Sequence, residues 1–194
     1  MKEMLRLILT LLVICLIAGV LLAFVNQRTA TPIAAAARMG KTTAISAVLP
    51  EYDNDPGRTA YTNEVDGSTW TFYVARKNGK FAGAAFETVS SEGYGGDIRV
   101  MVGVTSEGKM QGIQILKAME TPGLGAKIAE DDFRSQFVDK DIEATNWAVK
   151  KDKGSIDQIT AATISSRAVV NAIQSGLEVY KQHREEISRT GSEG

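Results

Sequence analysis

A chain of 194 residues can bury one well-formed core and carry one further segment. A formal net charge of −1, 7% aromatic residues and the lack of any Lys/Arg-rich run argue against a nucleic-acid surface. The single cysteine, Cys15, and single histidine, His183, exclude an intrachain disulfide framework and leave no ligand set for zinc or an iron–sulfur cluster.

The chain opens with "LILTLLVICLIAGVLLAFV", Leu7 to Val25, apolar except for Thr10 and long enough to cross a bilayer as a helix. A cleaved signal peptide usually has a shorter apolar core of roughly 7–15 residues. The run therefore reads as an uncleaved anchor, with residues 1–26 as tail and transmembrane segment. Lys2 and Arg6 precede it, while Arg28, Arg38 and Lys41 follow, so charge alone sets the orientation weakly. The short tail favours a cytoplasmic N-terminus with the body exported. Residues 27–50 read as a juxtamembrane helix or linker, an alanine-rich helix that stops at Pro50, and 51–194 as the domain.

After the turn-rich "EYDNDPGR", "TWTFYVARK" alternates like a strand, Asn78-Gly79 is a hairpin turn, and "KFAGAAFETV" returns. "DIRVMVGVT", Glu107-Gly108 and "KMQGIQILKAM" repeat the plan. The spacing thus predicts two hairpins in an antiparallel sheet, with "SSEGYGG" between them as a flexible loop whose backbone approaches something closely. "ETPGLG", Glu120 to Gly125, is a tight turn. A short helix carrying Ile128, Phe133 and Phe137 follows. From Thr163 to about Glu186, Ile164, Ala168, Ala172, Ile173, Leu177 and Tyr180 recur at helical spacing with one buried face. His183, near that helix's end among Lys181, Arg184 and Glu185, reads as solvated. The fold class is α+β: an antiparallel sheet with packed helices, preceded by one N-terminal transmembrane helix.

Where the last helix begins, "DQITAATIS" gathers Asp157, Thr160, Thr163 and Ser165. One or two such residues are explained by N-capping. Four in nine, after a glycine-containing loop, exceed that need. A helix N-terminus also offers free N–H groups and the positive end of its dipole to an anion, so a phosphate-bearing ligand competes with capping as the explanation.

The same stretch resembles the flavinylation motif Asp-x-x-Ser/Thr-Gly-Ala-Thr, with Asp157, Thr160, Ala162 and Thr163 in their places and Ala161 where the motif has glycine. With "ETPGLG" and the "GYGG" around Tyr94, the whole chain resembles the G subunit of the Rnf electron-transport complex. The C subunit of the sodium-pumping NADH:quinone oxidoreductase shares the domain but is usually longer. The resemblance implies an FMN-binding domain carrying FMN on Thr163 through a phosphoester, attached by a separate flavin transferase that recognises Asp157. It further implies that N–H groups from Ile164 to Ser166, Ser165 included, and the Thr160 hydroxyl hold the phosphate. Glu120, Thr121 and Leu124 would line the flavin slot, Gly123 and Gly125 would bring backbone to the ring edge, and Tyr94 would pack at the rim. If the motif glycine has positive φ, the Ala161 methyl would slow loading, although so small a change should let it survive.

By the same resemblance the chain is a single-pass inner-membrane electron-carrier subunit, with its FMN domain outside the cytoplasm. It would work with other membrane and peripheral subunits of a ferredoxin:NAD⁺ oxidoreductase that pumps Na⁺ or H⁺, and would not be active alone. Two rival functions fit the residues less fully. One is a tethered binding or assembly module without a redox role. The other is an exported flavoprotein reductase, for which no catalytic acid or substrate arginine is evident. No metal and no nucleic acid is expected.

Overall fold

A computed structural model describes residues 2–191. The apolar run and the alanine-rich run lie on one uninterrupted helix, α1 (Lys2–Val48). Pro32 sits inside it, where the missing N–H removes one hydrogen bond without ending the helix. α1 is the one helix among the described residues long and apolar enough to span a membrane. The chain divides into two compact units, residues 1–41 and 42–194.

In the second unit, β1 (Ala60–Val65), β2 (Ser68–Lys77), β3 (Lys80–Gly93), β4 (Gly96–Thr105) and β5 (Met110–Lys117) form one antiparallel meander in sequence order. The expected two hairpins are thus a continuous five-stranded sheet. β1 was not anticipated, because "AYTNEV" is polar on one side and only half-buried on the other. Its turn, Asp66-Gly67, has positive φ at both residues (51° and 72°), the geometry of the tightest hairpin turn. The expected loop "SSEGYGG" is also corrected. β3 continues through Ser90 and Ser91 to Gly93, Gly93 pairs with Gly96, and only Tyr94-Gly95 turn. The three glycines serve that tight turn.

Side chains alternate across the sheet. One face presents Phe72, Val74, Phe86, Val102 and Val104 to α3 (Thr163–Arg189), which contributes Ala168, Ala172, Ile173, Leu177 and Tyr180. Tyr180 stacks on Phe86 with centroids 5.9 Å apart, and Phe86 meets Phe72 at 5.3 Å. The opposite face holds Ala75, Ala85 and Met101 against Ala44, Ile45, Val48 and Leu49. A Cβ on Gly103 would stand 1.7 Å from the Val48 carbonyl oxygen, so glycine there lets the end of α1 lie on the sheet.

The expected short helix after "ETPGLG" is broken into a 3-10 turn (Gly125–Ala129), α2 (Asp131–Arg134) and a second 3-10 turn (Ser135–Phe137). Its three apolar residues, Ile128, Phe133 and Phe137, are buried as read. His183 is not solvated as expected. Its side chain is mostly buried, with Nδ1 2.9 Å from Glu186 Oε2 and its ring beside Tyr61. Tyr61, on the unanticipated β1, covers it and donates a hydrogen bond to the same Glu186 oxygen at 2.5 Å. That bond pulls the Glu186 carboxyl below its usual range and lifts the Tyr61 phenol above its own. At the far end of α3, buried Arg76 donates to the carbonyls of Ser188 (2.5 Å), Thr190 (2.8 and 3.0 Å) and Gly79 (2.9 Å). A cation thus closes the negative end of the helix.

Candidate functional site

The segment before α3 is a turn. The Ala162 N–H donates to Ile159 O (3.0 Å), and Ala161 sits within it at φ = 62°. That left-handed conformation is the one glycine adopts at no steric cost. Ser166, fully buried, fixes the turn from the helix side. Its Oγ accepts from the Ile159 N–H and donates to Ala162 O, both at 3.0 Å. Asp157 lies outside this turn, paired with Lys150 Nζ at 2.7 Å. Its backbone N–H donates to Gln136 Oε1 at 2.8 Å.

The next residue, Thr163, begins α3, and no side chain caps that end. The hydroxyl residues of the motif therefore do not do what capping predicts: Ser165 Oγ donates to Glu120 Oε2 (2.7 Å) and Ser166 binds the preceding turn. The first N–H groups of an α-helix have no intrahelical acceptor. Here they open on a cavity of about 510 Å³ lined by Tyr94, Glu120, Thr121, Leu124, Gly125 and the segment 161–165. The volume suits a small-molecule site.

Three separated segments meet around it: the β3–β4 turn, the loop after β5, and the first turn of α3. Of the expected residues, Tyr94, Glu120, Thr121, Leu124, Gly125, Ala162, Thr163, Ile164 and Ser165 all line the cavity. Thr160, Gly123 and Asp157 are not among its walls. Ile164, expected on the buried face of α3, is instead 49% exposed and faces the cavity. Tyr94 is 73% exposed, and Met119 and Leu124 are also exposed. Six large apolar side chains of the second unit are exposed among the described residues, and three of them line this one opening. Two features escaped sequence reasoning. Ala161 is itself a wall, and Ser166 is the brace of the motif turn, its only sequence signal being the Ser165-Ser166 pair.

The wall chemistry suits a phosphate-bearing aromatic ligand. It combines an uncapped helix end and a threonine hydroxyl on one side with apolar side chains and close backbone on the other. The comparison with known proteins points the same way. A family model described as "FMN-binding domain" matches residues 93–178, a span that contains all three segments of the cavity. The G subunit of the ion-translocating oxidoreductase complex of Cereibacter sphaeroides is 36% identical over 180 residues, covering 89% of this chain and 82% of that protein. The chain belongs to the G-subunit family of ion-translocating oxidoreductase complexes.

The family's Pseudomonas aeruginosa member is 34% identical over 206 residues, covering 96% of this chain and 92% of its own length. That of Aliivibrio fischeri reaches 45%, over 59% of this chain and 57% of the relative. Among solved structures, the C subunit of the Na⁺-translocating NADH-quinone reductase from Parabacteroides distasonis superposes with a TM-score of 0.52. It is 20% identical and covers 71% of this chain and 78% of that one, so it supports a shared fold. In this member of the G-subunit family, the open helix end and cavity described above fall within the segment matched by the domain model.

Proposed function

We propose that this G subunit is a membrane-anchored electron carrier that holds FMN in the cavity, bonded to Thr163 through a phosphoester. The observation that carries the reading is Thr163 itself. It is the first residue of an uncapped helix, it lines the cavity, and its position matches the last threonine of the flavinylation motif. Bound FMN supplies a group that accepts and releases electrons at the working potential of the complex.

The chain's own residues have three tasks. Thr163 presents its hydroxyl oxygen as acceptor when a flavin transferase passes the FMN half of FAD to it. The FAD pyrophosphate bond breaks, AMP leaves, and the hydroxyl proton goes to the transferase. Thr163 needs no activating base of its own, because the transferase carries out the attachment. The N–H groups of the first helical turn hold the one remaining phosphate charge, helped by the helix dipole. Tyr94, Leu124 and Ile164 supply apolar surface to an aromatic ring and keep water from it.

Asp157 does not contribute to the walls and carries its charge outside them. A role in recognition by the transferase therefore suits it, whereas a carboxylate beside the phosphate would repel it. The anchor, residues 1–26, and the helix that follows it tether the FMN domain, onto whose sheet Ala44, Ile45 and Val48 pack, outside the cytoplasm, where other subunits of the complex give and take its electrons. Alone, the protein has no donor or acceptor. The test is intact mass and in-gel flavin fluorescence of the denatured full chain, co-expressed with a flavin transferase, for wild type and Thr163→Ala. The reading requires a mass gain of one FMN less water in the wild type and none in the variant.

A further inference from the structure

Glu120 lines the cavity, and its surroundings give it a further job. Glu120 is 8% exposed, and both of its oxygens are engaged within the protein. Oε2 accepts from Ser165 Oγ at 2.7 Å, and Oε1 accepts from the Gly95 N–H at 3.3 Å. The carboxyl sits in a socket between two glycines. A Cβ on Gly125 would stand 2.5 Å from Oε2, and one on Gly93 would stand 2.9 Å from Oε1. Across the same junction a Cβ on Gly95 would stand 1.7 Å from Met119 O, so the turn and the loop touch backbone to backbone. One side chain therefore joins all three segments that form the cavity.

We infer that Glu120 is a positioning residue, a latch that ties the β3–β4 turn to the first turn of α3 and thereby sets the shape of the cavity, acting through the segments it joins. Two polar bonds and two missing side chains are specific to this carboxyl. Each carboxylate oxygen already accepts one bond from within the protein, and the residue is only 8% exposed. The latch also accounts for the Ser165 hydroxyl, which bonds Glu120 and does not cap the helix. The inference rests on the reading of the cavity as a flavin site, and its test separates the two.

The first arm uses the full chain in detergent micelles carrying Thr163→Ala, which is never loaded, and follows amide hydrogen exchange at Gly95. Losing one hydrogen bond that holds the turn should speed that exchange about fivefold to tenfold in Glu120→Ala. Ser165→Ala, which leaves the carboxyl in place but removes one of its two anchors, should speed it about twofold to threefold. Glu120→Gln, of the same shape and still offering an acceptor, should stay within about twofold of its parent. The second arm uses the loaded chain. Glu120→Ala should keep the mass of attached FMN while iodide quenches its flavin fluorescence more strongly, with Ser165→Ala intermediate and Glu120→Gln near wild type. Unchanged exchange at Gly95 in Glu120→Ala overturns the latch. So does a pattern in which Gln is as damaging as Ala while Ser165→Ala matches wild type, since that marks a direct ligand contact. If no chain loads, the exchange arm still decides the latch, and the failure belongs to the flavin reading.

Discussion

Ala161→Gly should stabilise the protein. Ala161 sits at φ = 62° with its methyl exposed, so the penalty is conformational and no neighbour is strained by the methyl. A left-handed backbone costs an L-residue roughly 1–2 kcal/mol relative to glycine. Glycine gives back about 0.4–1 kcal/mol through the extra freedom of the unfolded chain. The difference leaves a net gain of between about 0 and 1.6 kcal/mol, centred on ~0.8 kcal/mol, which in a domain of this size raises the melting temperature by ~2–3 °C at the centre of that range. Thermal unfolding of unloaded full-length chain in detergent, followed by near-UV circular dichroism, reads the shift. Ala168→Gly provides the opposite sign, because it lies buried inside α3 and should lose about 1 kcal/mol or more. An Ala161→Gly protein that melts at or below wild type would refute the left-handed turn as the place where strain resides. The same substitution should also speed FMN loading, since the motif turn then forms without strain.

Other outcomes follow from the same geometry. Arg76→Met should cost about 3 kcal/mol in chemical denaturation, because it strips the hydrogen bonds that close α3 and the one to Gly79 in the β2–β3 turn. Gly103→Ala should destabilise by more than about 2 kcal/mol, since its methyl would collide with the Val48 carbonyl, and loss of packing by Ala44 and Ile45 would show as faster exchange there. Tyr180→Phe should change stability by less than about 1 kcal/mol, because its buried hydroxyl makes no hydrogen bond of good geometry among the described residues and only lies near the Arg184 guanidinium. Burial lifts the Tyr180 phenol above its ordinary value, offset only in part by the nearby Arg184 cation. The folded state thus keeps that proton longer than the unfolded chain does. Stability should be level below about pH 10 and fall above it, and the phenylalanine variant should lose less. In acid the sign reverses. Asp152 is held below the usual carboxylate range by its Arg167 hydrogen bond and Glu186 by Tyr61, so their contribution is present above about pH 4 and fades as pH falls below it.

The local signals in the sequence were strong where periodicity or turn chemistry acts over a few residues. Strands β2 to β5 and the buried stripe of α3 follow from alternation and helical spacing. "ETPGLG" and the threonine cluster were legible as motifs, although nothing local says that they face each other across one cavity. β1 was missed because half its residues are polar and its partner strand supplies the context. Ser90 and Ser91 read as loop because glycines follow them, yet β4 pairs with this end of β3 and keeps it in the sheet. The role of Glu120 depends on groups brought together from residues 95, 120 and 165. Such a junction has no local signature. Ala161 illustrates the reverse case: the motif's glycine announced a positive φ, and the alanine keeps that conformation at a cost.

The most direct test of the account is to locate the flavin on one residue. Full-length chain, co-expressed with a flavin transferase and digested with trypsin, yields the peptide from Gly154 to Arg167, which contains Thr160, Thr163, Ser165 and Ser166. Fragmentation by tandem mass spectrometry should place one FMN phosphoester on Thr163. FMN on Thr160 or a serine would contradict the assignment of the helix's first residue as acceptor. An unmodified peptide, from a transferase that loads another substrate in the same cells, would contradict the covalent flavin altogether.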